Sequence, residues 1–161
     1  GHDRRAAAKL TAMPRFEHCF EVNAPLEAVA EFHRDARALR RLTPPPMWAQ
    51  FHRVEPLGEG SEAEFTLWLG PLPLRWLARH QGVSPLNGFT DVQERGPLLR
   101  WAHSHRFEAA GEGRTRVYDQ VDFDHRAGWR GWGTRLLFSR AGLAFLFAYR
   151  AWATRRALRS S

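Results

Sequence analysis

The sequence predicts an α+β domain in which a curved antiparallel sheet of seven strands is covered by two short helices and one long C-terminal helix. Two observations predict this class: short runs with alternating apolar residues follow one another without a helix between them, and a final segment of about 25 residues lacks proline. The length of 161 residues fits a single domain. Because one helix cannot fill the concave face of such a sheet, we expect a cavity between helix and sheet.

The composition is that of an ordinary globular protein, with 43% hydrophobic residues, 25% charged residues and a mean hydropathy of −0.49. The longest apolar run, residues 141–149, is too short for a transmembrane helix, which takes about 20 residues. Cys19 is the only cysteine, which excludes an internal disulfide and a Cys-x-x-Cys zinc site. Since no apolar secretory leader is visible either, we expect a cytoplasmic protein.

The net charge of +7 points at first to a nucleic-acid partner. However, Lys9 is the only lysine among the 24 basic residues, and the arginines are spread along the chain. Such a skew toward arginine is typical of the codon usage of a genome rich in G and C. We therefore do not expect a nucleic-acid partner.

The fold is expected to begin after a short segment without pattern. Residues 1–13 are interpreted as a tag remnant or a disordered N-terminal extension, followed by a single domain over residues 14–161. The first strand begins at Phe16, where apolar and polar residues alternate as far as Val22. One face of this strand is therefore expected to be buried.

Two short helices are predicted after the first strand. Asn23 is expected to cap the first helix, and Pro25 suits its first turn. Asp35 interrupts that helix and is expected to cap the second one, because its carboxylate can accept from free N–H groups. Pro44, the first of three consecutive prolines, ends the second helix.

Six further strands are predicted, each bounded by Gly or Pro turn residues. They lie at residues 50–55, 62–69, 74–83, 88–94, 98–108 and 114–124. Consecutive strands of this kind favour an antiparallel meander. A loop rich in Gly and Trp follows, and a single helix is then predicted from Thr134 to about Arg159.

Several short motifs are distributed along these elements. They are VNAP at 22–25, LTPP at 42–45, RW at 75–76, GFTDVQ at 88–93, GP at 96–97, WAHSHRF at 101–107 and FAYR at 147–150. Together they resemble a ligand-binding subgroup of the bacterial SRPBCC superfamily, the START-like proteins, often labelled polyketide cyclase/dehydrase or lipid-transport-like. The resemblance covers residues 15–158 and implies the helix-grip fold. It implies no single catalytic motif, because the superfamily includes lipid and sterol carriers, polyketide cyclases and quinone-associated proteins.

Polar residues interrupt the apolar faces of three neighbouring strands. His103 and His105 share a strand face with Trp101 and Phe107, and Asp119 lies on the apolar face of the next strand. If the hairpin is centred at residue 111, His103 lies opposite Asp119, whereas a register shifted by two residues places His105 there. The preceding hairpin places Asp91 opposite His103. The sequence thus predicts a row of Asp91, His103 and Asp119.

This row has several interpretations. It is either a satisfied buried network, or a set of polar contacts to the head of a ligand, or an acid–base pair in which an aspartate orients a histidine. The candidate catalytic residues are His103, His105, Asp119 and Asp91. A His-x-His pair with an aspartate can also ligate zinc or iron, but no fourth ligand is evident, so we expect neither a metal nor another cofactor.

The expected function is non-covalent binding of a small hydrophobic molecule, such as a lipid, a quinone or a polyketide-like compound. The alternative is a polyketide cyclase or dehydratase that uses the His/Asp pair in the same cavity. The predicted polar contacts come from Asp91, Gln93, His103, His105 and Asp119. The predicted apolar lining consists of Phe65, Leu67, Trp76, Phe89, Trp101, Phe107, Val121, Phe123 and Phe147.

The predicted last helix carries two apolar stripes. One of them contains Phe138, Ala141, Phe145 and Trp152. The other contains Leu136, Leu143 and Phe147. One stripe is expected to pack on the sheet. For the second stripe we leave three partners open: the short helices, a second copy in a homodimer, or transient contact with a membrane surface, for which the surrounding arginines suit anionic lipid.

Overall fold

The computed structural model of the protein describes residues 14–159, so the expectation for residues 1–13 lies outside the described residues. Within this range one antiparallel sheet has the strand order β1-β7-β6-β5-β4-β3-β2. Its strands are β1 (Arg15–Val22), β2 (Met47–Val54), β3 (Glu62–Leu69), β4 (Leu72–Ser84), β5 (Gly88–Arg95), β6 (Arg100–Gly111) and β7 (Arg114–Asp124). The predicted seven-stranded antiparallel sheet is therefore confirmed, with β2 to β7 as the expected meander and β1 paired with β7.

The alternation of residues on each strand explains which face of the sheet is buried. On β7, Thr115, Val117, Asp119, Val121 and Phe123 are all buried, while the residues between them are half-buried. Successive side chains of a strand point to opposite faces, so a period of two turns one face toward the helices. The pattern that predicts the strands thus also identifies the concave face.

The helices cover this face from two directions. They are α1 (Leu26–Arg34), α2 (Leu39–Leu42), α3 (Trp132–Leu137) and α4 (Arg140–Leu158), with short 3₁₀ turns at Ala36–Ala38 and Gly128–Gly131. The Asp35 carboxylate accepts a hydrogen bond from the Arg37 backbone N–H at 2.9 Å, as the sequence predicts. The predicted cap of α1 is wrong, because Pro25 occupies the cap position instead of Asn23 and has no side-chain hydrogen bond.

The prediction of a single helix from Thr134 to Arg159 is also wrong, since the chain breaks between α3 and α4. The Ser139 hydroxyl accepts a hydrogen bond from the Gly142 backbone N–H at 3.1 Å and caps α4. Gly142 lies against the carbonyl of Leu137, where any Cβ would collide. α4 is therefore a separate C-terminal helix of 19 residues, and its first turn lies against the end of α3 at Gly142.

Two apolar clusters form the core. One lies under α4, where Leu143 and Phe147 are fully buried against the sheet. The other lies under α1, where Val29 packs against Phe107 and Val117. α4 therefore packs the stripe of Leu143 and Phe147 on the sheet. None of the helices in the described range is long and apolar enough to span a membrane.

Gly88, at the start of β5, allows a direct test of how closely β5 lies against β6. Gly88 has a φ of +125°, and a Cβ there would collide with the carbonyl of His105 on β6. We expect Gly88→Ala to lower the free energy of unfolding by more than about 2 kcal/mol, because both the backbone conformation and the strand contact oppose a side chain.

Gly113→Ala is the matched control, since Gly113 has a φ of +66° but no atom within 4 Å of the added Cβ. It should lower the free energy of unfolding by only about 1 kcal/mol. Urea denaturation of both variants measures the difference. Equal losses in the two variants would contradict the close contact between β5 and β6.

Candidate functional site

The register of the central strands decides which polar residues meet. β5 and β6 pair Asp91 with His103 and Phe89 with His105, as predicted. β6 and β7 pair His105 with Asp119, so the register centred at residue 111 is wrong by two residues and the alternative is correct. The cause is the hairpin end, where the register shifts between Ala109 and Gly111.

The side chains nevertheless connect diagonally across the strands. His103 donates from Nε2 to Asp119 Oδ1 at 2.8 Å, and His105 donates from Nε2 to Asp91 Oδ2 at 2.8 Å. His80 on β4 donates from Nε2 to the other Asp91 oxygen at 2.9 Å. We call these five residues the His–Asp network. It spans four neighbouring strands, β4 to β7.

The carboxylates of this network are held in their charged form. Burial alone would raise the pKa of Asp91, but the hydrogen bonds from His105 and His80 lower it well below its usual range. Burial would likewise raise the pKa of Asp119, which the hydrogen bond and the charge of His103 lower. Burial lowers the pKa of His80, but its bond to Asp91 raises it overall. The network therefore keeps two negative charges, on the half-buried Asp91 and the buried Asp119, each stabilised by histidine N–H groups.

The carboxylates also determine which nitrogen of each histidine carries the proton. A carboxylate only accepts hydrogen bonds, so the uncharged forms of His103 and His105 carry their hydrogen on Nε2 and a lone pair on Nδ1. Burial lowers the pKa of His105, and the neighbouring His103 lowers it further. Within residues 14–159, Nδ1 of His103 has no hydrogen-bond partner, and it is not sealed from the adjoining cavity.

His33 is a further polar residue of the site, which the sequence analysis missed. It lies near the end of α1 and donates from Nδ1 to the carbonyl of Val29 at 2.8 Å. Burial lowers its pKa to about 4, so the ring is neutral at pH 7. Its Nε2 therefore offers a lone pair, and the residue lines the cavity. The available signal was its position four residues after Val29, on the buried face of the helix.

A cavity of about 330 Å³ lies between strands β3–β6 and the helices. Eight of the predicted residues line it: Phe65, Leu67, Trp76, Phe89, Asp91, Trp101, His103 and His105. Aromatic rings form much of its wall, where Phe65 stacks on Trp76 at 6.1 Å and Trp76 meets Trp101 edge-on at 5.6 Å. The structure therefore brings the aromatic residues of β3–β6 and part of the His–Asp network to one cavity.

Six other predicted residues do not line the cavity. They are Gln93, Phe107, Asp119, Val121, Phe123 and Phe147. α4 fills the space over β1 and the neighbouring part of β6 directly, since the Phe147 ring lies 5.4 Å from Phe16 on β1 and 5.1 Å from His103 on β6. Phe107 packs instead against His33 at 4.8 Å, under α1. The cavity is thus displaced toward β3, away from β1 and β7.

Gln93 and Arg75 have different roles from the cavity residues. The Gln93 amide donates to the Leu98 carbonyl at 2.9 Å and accepts from the Leu98 N–H at 3.2 Å. Gln93 therefore stabilises the turn between β5 and β6 instead of facing a ligand. Arg75 is exposed on β4 while Trp76 faces the cavity, as the alternation predicts.

The remaining walls come from distant parts of the chain. They are formed by Leu39, Leu42, Pro44, Pro45, Pro46, Met47, Leu137, Gly142, Phe145, Leu146 and Arg150, among others. The triple proline, which the sequence indicates only as a helix stop, lies at the edge of the cavity. No local pattern predicts this role, since it depends on how α2 and α4 approach each other.

Three of the polar residues have ligand atoms close enough to be considered for a metal ion. One atom each of Asp91, His103 and His105 lies within 4.8 Å of the other two. However, Nε2 of both histidines already donates to a carboxylate, so a metal bound through these atoms would displace two hydrogen bonds. The observed arrangement is that of a hydrogen-bonded network in which each Nε2 atom has a carboxylate partner.

Comparison with known proteins supports the fold. No family model matches the chain, and no curated protein matches it. A solved structure from Chromobacterium violaceum aligns with a TM-score of 0.73 at 10% identity, covering 90% of this chain and 97% of that one. One from Thermus thermophilus aligns with a TM-score of 0.68 at 18% identity, covering 89% and 99%.

The aromatase/cyclase Zhui of Streptomyces sp. R1128 aligns with a TM-score of 0.66 at 20% identity, covering 90% of this chain and 96% of that one. This chain has the helix-grip fold. At these identities the comparisons show the fold alone, and this fold is the one that the resemblance implies. The cavity lies between the sheet and helices that include the C-terminal helix.

The buried His33 predicts a specific dependence of stability on pH. The unfolded chain binds a proton at His33 below about pH 6.5, whereas the folded protein does so only near pH 4. The free energy of unfolding should therefore fall by up to about 3 kcal/mol from this residue as the pH drops through that window. His33→Asn, which keeps an N–H donor for Val29, should flatten the slope.

Urea denaturation at several pH values between 7 and 3 measures this effect. The loss below about pH 4, which comes from the lowered pKa values of Asp91 and Asp119, should persist in the variant because protonation removes their favourable charge. Equal slopes for both proteins between pH 6.5 and 4 would contradict the buried, neutral state of His33.

Proposed function

We propose that the protein binds a small, compact and largely apolar molecule that carries a hydroxyl group. The observation that carries the proposal is the composition of the cavity wall, which combines aromatic rings with histidine nitrogens that can accept a hydrogen bond. A polyketide-like or other aromatic molecule fits this description better than a lipid with a long acyl chain. The proposal places the ligand between β3–β6 and α4.

Size and shape support a compact ring system. The volume of about 330 Å³ lies at the small end of the range for ligand pockets, roughly 300–1,000 Å³. The Phe65 and Trp76 rings are within 10° of parallel and hold each other in place by stacking. A fused aromatic ring can pack against such a rigid aromatic wall and bury most of its surface.

The polar groups of the wall support a hydrogen-bond donor on the ligand. Nε2 of His33 and Nδ1 of His103 offer lone pairs, because Val29 and Asp119 take the hydrogens on the other ring nitrogens. If such an acceptor stays unpaired in a complex, the binding free energy is less favourable by about 1–3 kcal/mol. A hydroxyl group satisfies such an acceptor, whereas an ether or a carboxylate does not. The free acceptors in the wall therefore support a ligand that carries a hydroxyl group.

A pair of probes of similar shape tests the proposal. We expect 2-naphthol to bind about tenfold more tightly than 2-methoxynaphthalene, because only the naphthol donates a hydrogen bond to the histidines. Isothermal titration calorimetry measures both affinities. Equal affinity for the two probes would contradict the donor requirement, and failure of both to bind would contradict a cavity for compact aromatics.

Two leucine variants locate the binding. Ala78→Leu should abolish 2-naphthol binding, because Ala78 is buried in the cavity wall on β4. Ala102→Leu is the matched control, since Ala102 lies on the outer face of β6 and adds the same side chain there. Binding that survives Ala78→Leu places the probe elsewhere. Thermal denaturation of both variants confirms that they are folded.

A second function, acid–base catalysis in the same cavity, is favoured by the pair of Asp119 and His103. Nδ1 of His103 is placed to take a proton from a carbon next to a ketone, while Asp119 holds the ring and stabilises the imidazolium. Return of that proton to a leaving hydroxyl releases water, which completes a dehydration. One protein of this fold is named an aromatase/cyclase, which supports this alternative.

Deuterium exchange into 2-tetralone tests the proton transfer without knowledge of the natural substrate. We expect the protein to accelerate exchange at the carbon between the ketone and the ring, and His103→Gln to reduce that rate by about 100-fold. His105→Gln serves as the comparison, since Nδ1 of His105 is sealed from the cavity. Mass spectrometry follows the exchange. Equal rates for wild type and His103→Gln would exclude His103 as the base and leave ligand binding as the function.

A further inference from the structure

The charge of the chain is distributed very unevenly. From His125 onward there are eight of the 24 basic residues and none of the 17 acidic ones. The preceding part of the chain is therefore close to neutral, with sixteen basic and seventeen acidic residues. The net charge of +7 thus comes from the segment that forms α3 and α4.

The arginines of this segment are also not neutralised by the rest of the protein. Elsewhere, Arg15 pairs with Asp122 at 2.7 Å and Arg116 pairs with Glu21 at 2.7 Å. Among residues 14–159, no arginine after Arg116 forms an ion pair with a carboxylate. The exposed arginines of the segment therefore present positive charge to solvent without a carboxylate partner in the described range, whereas Arg150 lines the cavity and interacts electrostatically with Asp119 and Asp91.

Large apolar side chains are exposed in the same segment. Trp129 is 84% exposed, Trp132 71% and Leu136 70%. Their spacing of three and four residues places them on one face of the 3₁₀ turn and α3. Arg130 lies next to them, with its guanidinium 5.6 Å from the Trp129 ring. We call these residues, together with the exposed Arg135 and Arg140, the α3 face.

We propose that the α3 face docks on an anionic lipid membrane. Tryptophan is enriched where apolar and aqueous phases meet, because its ring is apolar and its N–H needs a polar partner. Arginines beside it attract anionic headgroups, and the segment holds no carboxylate to oppose them. The charge complementarity therefore favours a bilayer over a neutral protein surface.

The α3 face adjoins the cavity. Leu137 and Phe138, which follow Leu136 directly, both line it. Phe145 on α4 lines the cavity too and is 65% exposed. A membrane bound to α3 would therefore lie close to the rim of the cavity, which gives an apolar molecule a short path between bilayer and protein. The docking itself does not depend on which ligand the cavity binds.

Vesicle flotation tests the docking. We expect the protein to float with vesicles of phosphatidylcholine and phosphatidylglycerol, not with phosphatidylcholine alone, and to be released by high salt because salt screens the charges. Tryptophan fluorescence should shift to shorter wavelength on binding, since Trp129 and Trp132 leave water. Binding that is equal with both vesicle types would overturn the role of the arginines.

Two pairs of substitutions with the same change in net charge locate the contact. Arg130→Gln with Arg140→Gln should lower the vesicle-bound fraction by about fivefold or more. Arg75→Gln with Arg95→Gln, at exposed positions on β4 and β5, should leave it within about twofold. Equal losses in both double variants would mean that net charge alone attracts the protein, and would overturn the α3 face as the site.

The aromatic residues have their own control. Trp129→Ser with Trp132→Ser should abolish the fluorescence shift and most of the binding, whereas Trp48→Ser, at a 53% exposed tryptophan on β2, should not. Circular dichroism confirms that each variant is folded. Two results would overturn the proposal: a wild-type dimer that the Trp129/Trp132 variant loses in light scattering without any vesicle binding, or binding to a single-stranded oligonucleotide but not to vesicles.

Discussion

Two carboxylates beside an apolar cavity constrain the rest of the site, since Asp91 lies in the cavity wall and Asp119 is buried next to it. An unpaired charge at Asp91 or Asp119 would destabilise the fold by several kcal/mol, so each needs hydrogen-bond donors within the sheet. His80, His103 and His105 supply them from β4 and β6. The orientation of the histidine rings and the polarity of the cavity follow from this requirement.

The same hydrogen bonds give the cavity its chemical character. Because Asp119 accepts a hydrogen from Nε2 of His103, this histidine offers the cavity an acceptor at Nδ1 instead of a donor. His33 reaches the same state by another route, since the Val29 carbonyl takes its hydrogen. Acceptors in the cavity wall favour a ligand that donates a hydrogen bond. The aromatic rings of β3 and β4 favour a ligand whose shape fits them.

The sequence was sufficient for the fold because the signals of strands are local. The alternation on β3 and β7 predicted their bounds correctly, and the pairing of Asp91 with His103 followed from a regular hairpin. The β6–β7 register failed because the irregularity near Ala109 leaves no mark in the pattern. The apolar stripe of the last helix also indicates that Phe147 is buried, but not whether it faces a side chain or a void. The walls around Pro44–Pro46 depend on packing between distant helices.

The cavity joins parts of the chain that are far apart in sequence. Met47 at the start of β2 and Phe145 on α4 face the same space, and neither wall exists until the whole sheet has formed between them. A ligand in this space therefore binds only the complete native state and adds its binding free energy to the stability of that state. In this sense the bound molecule acts as part of the core, and the resistance of the protein to unfolding reports whether the cavity is occupied.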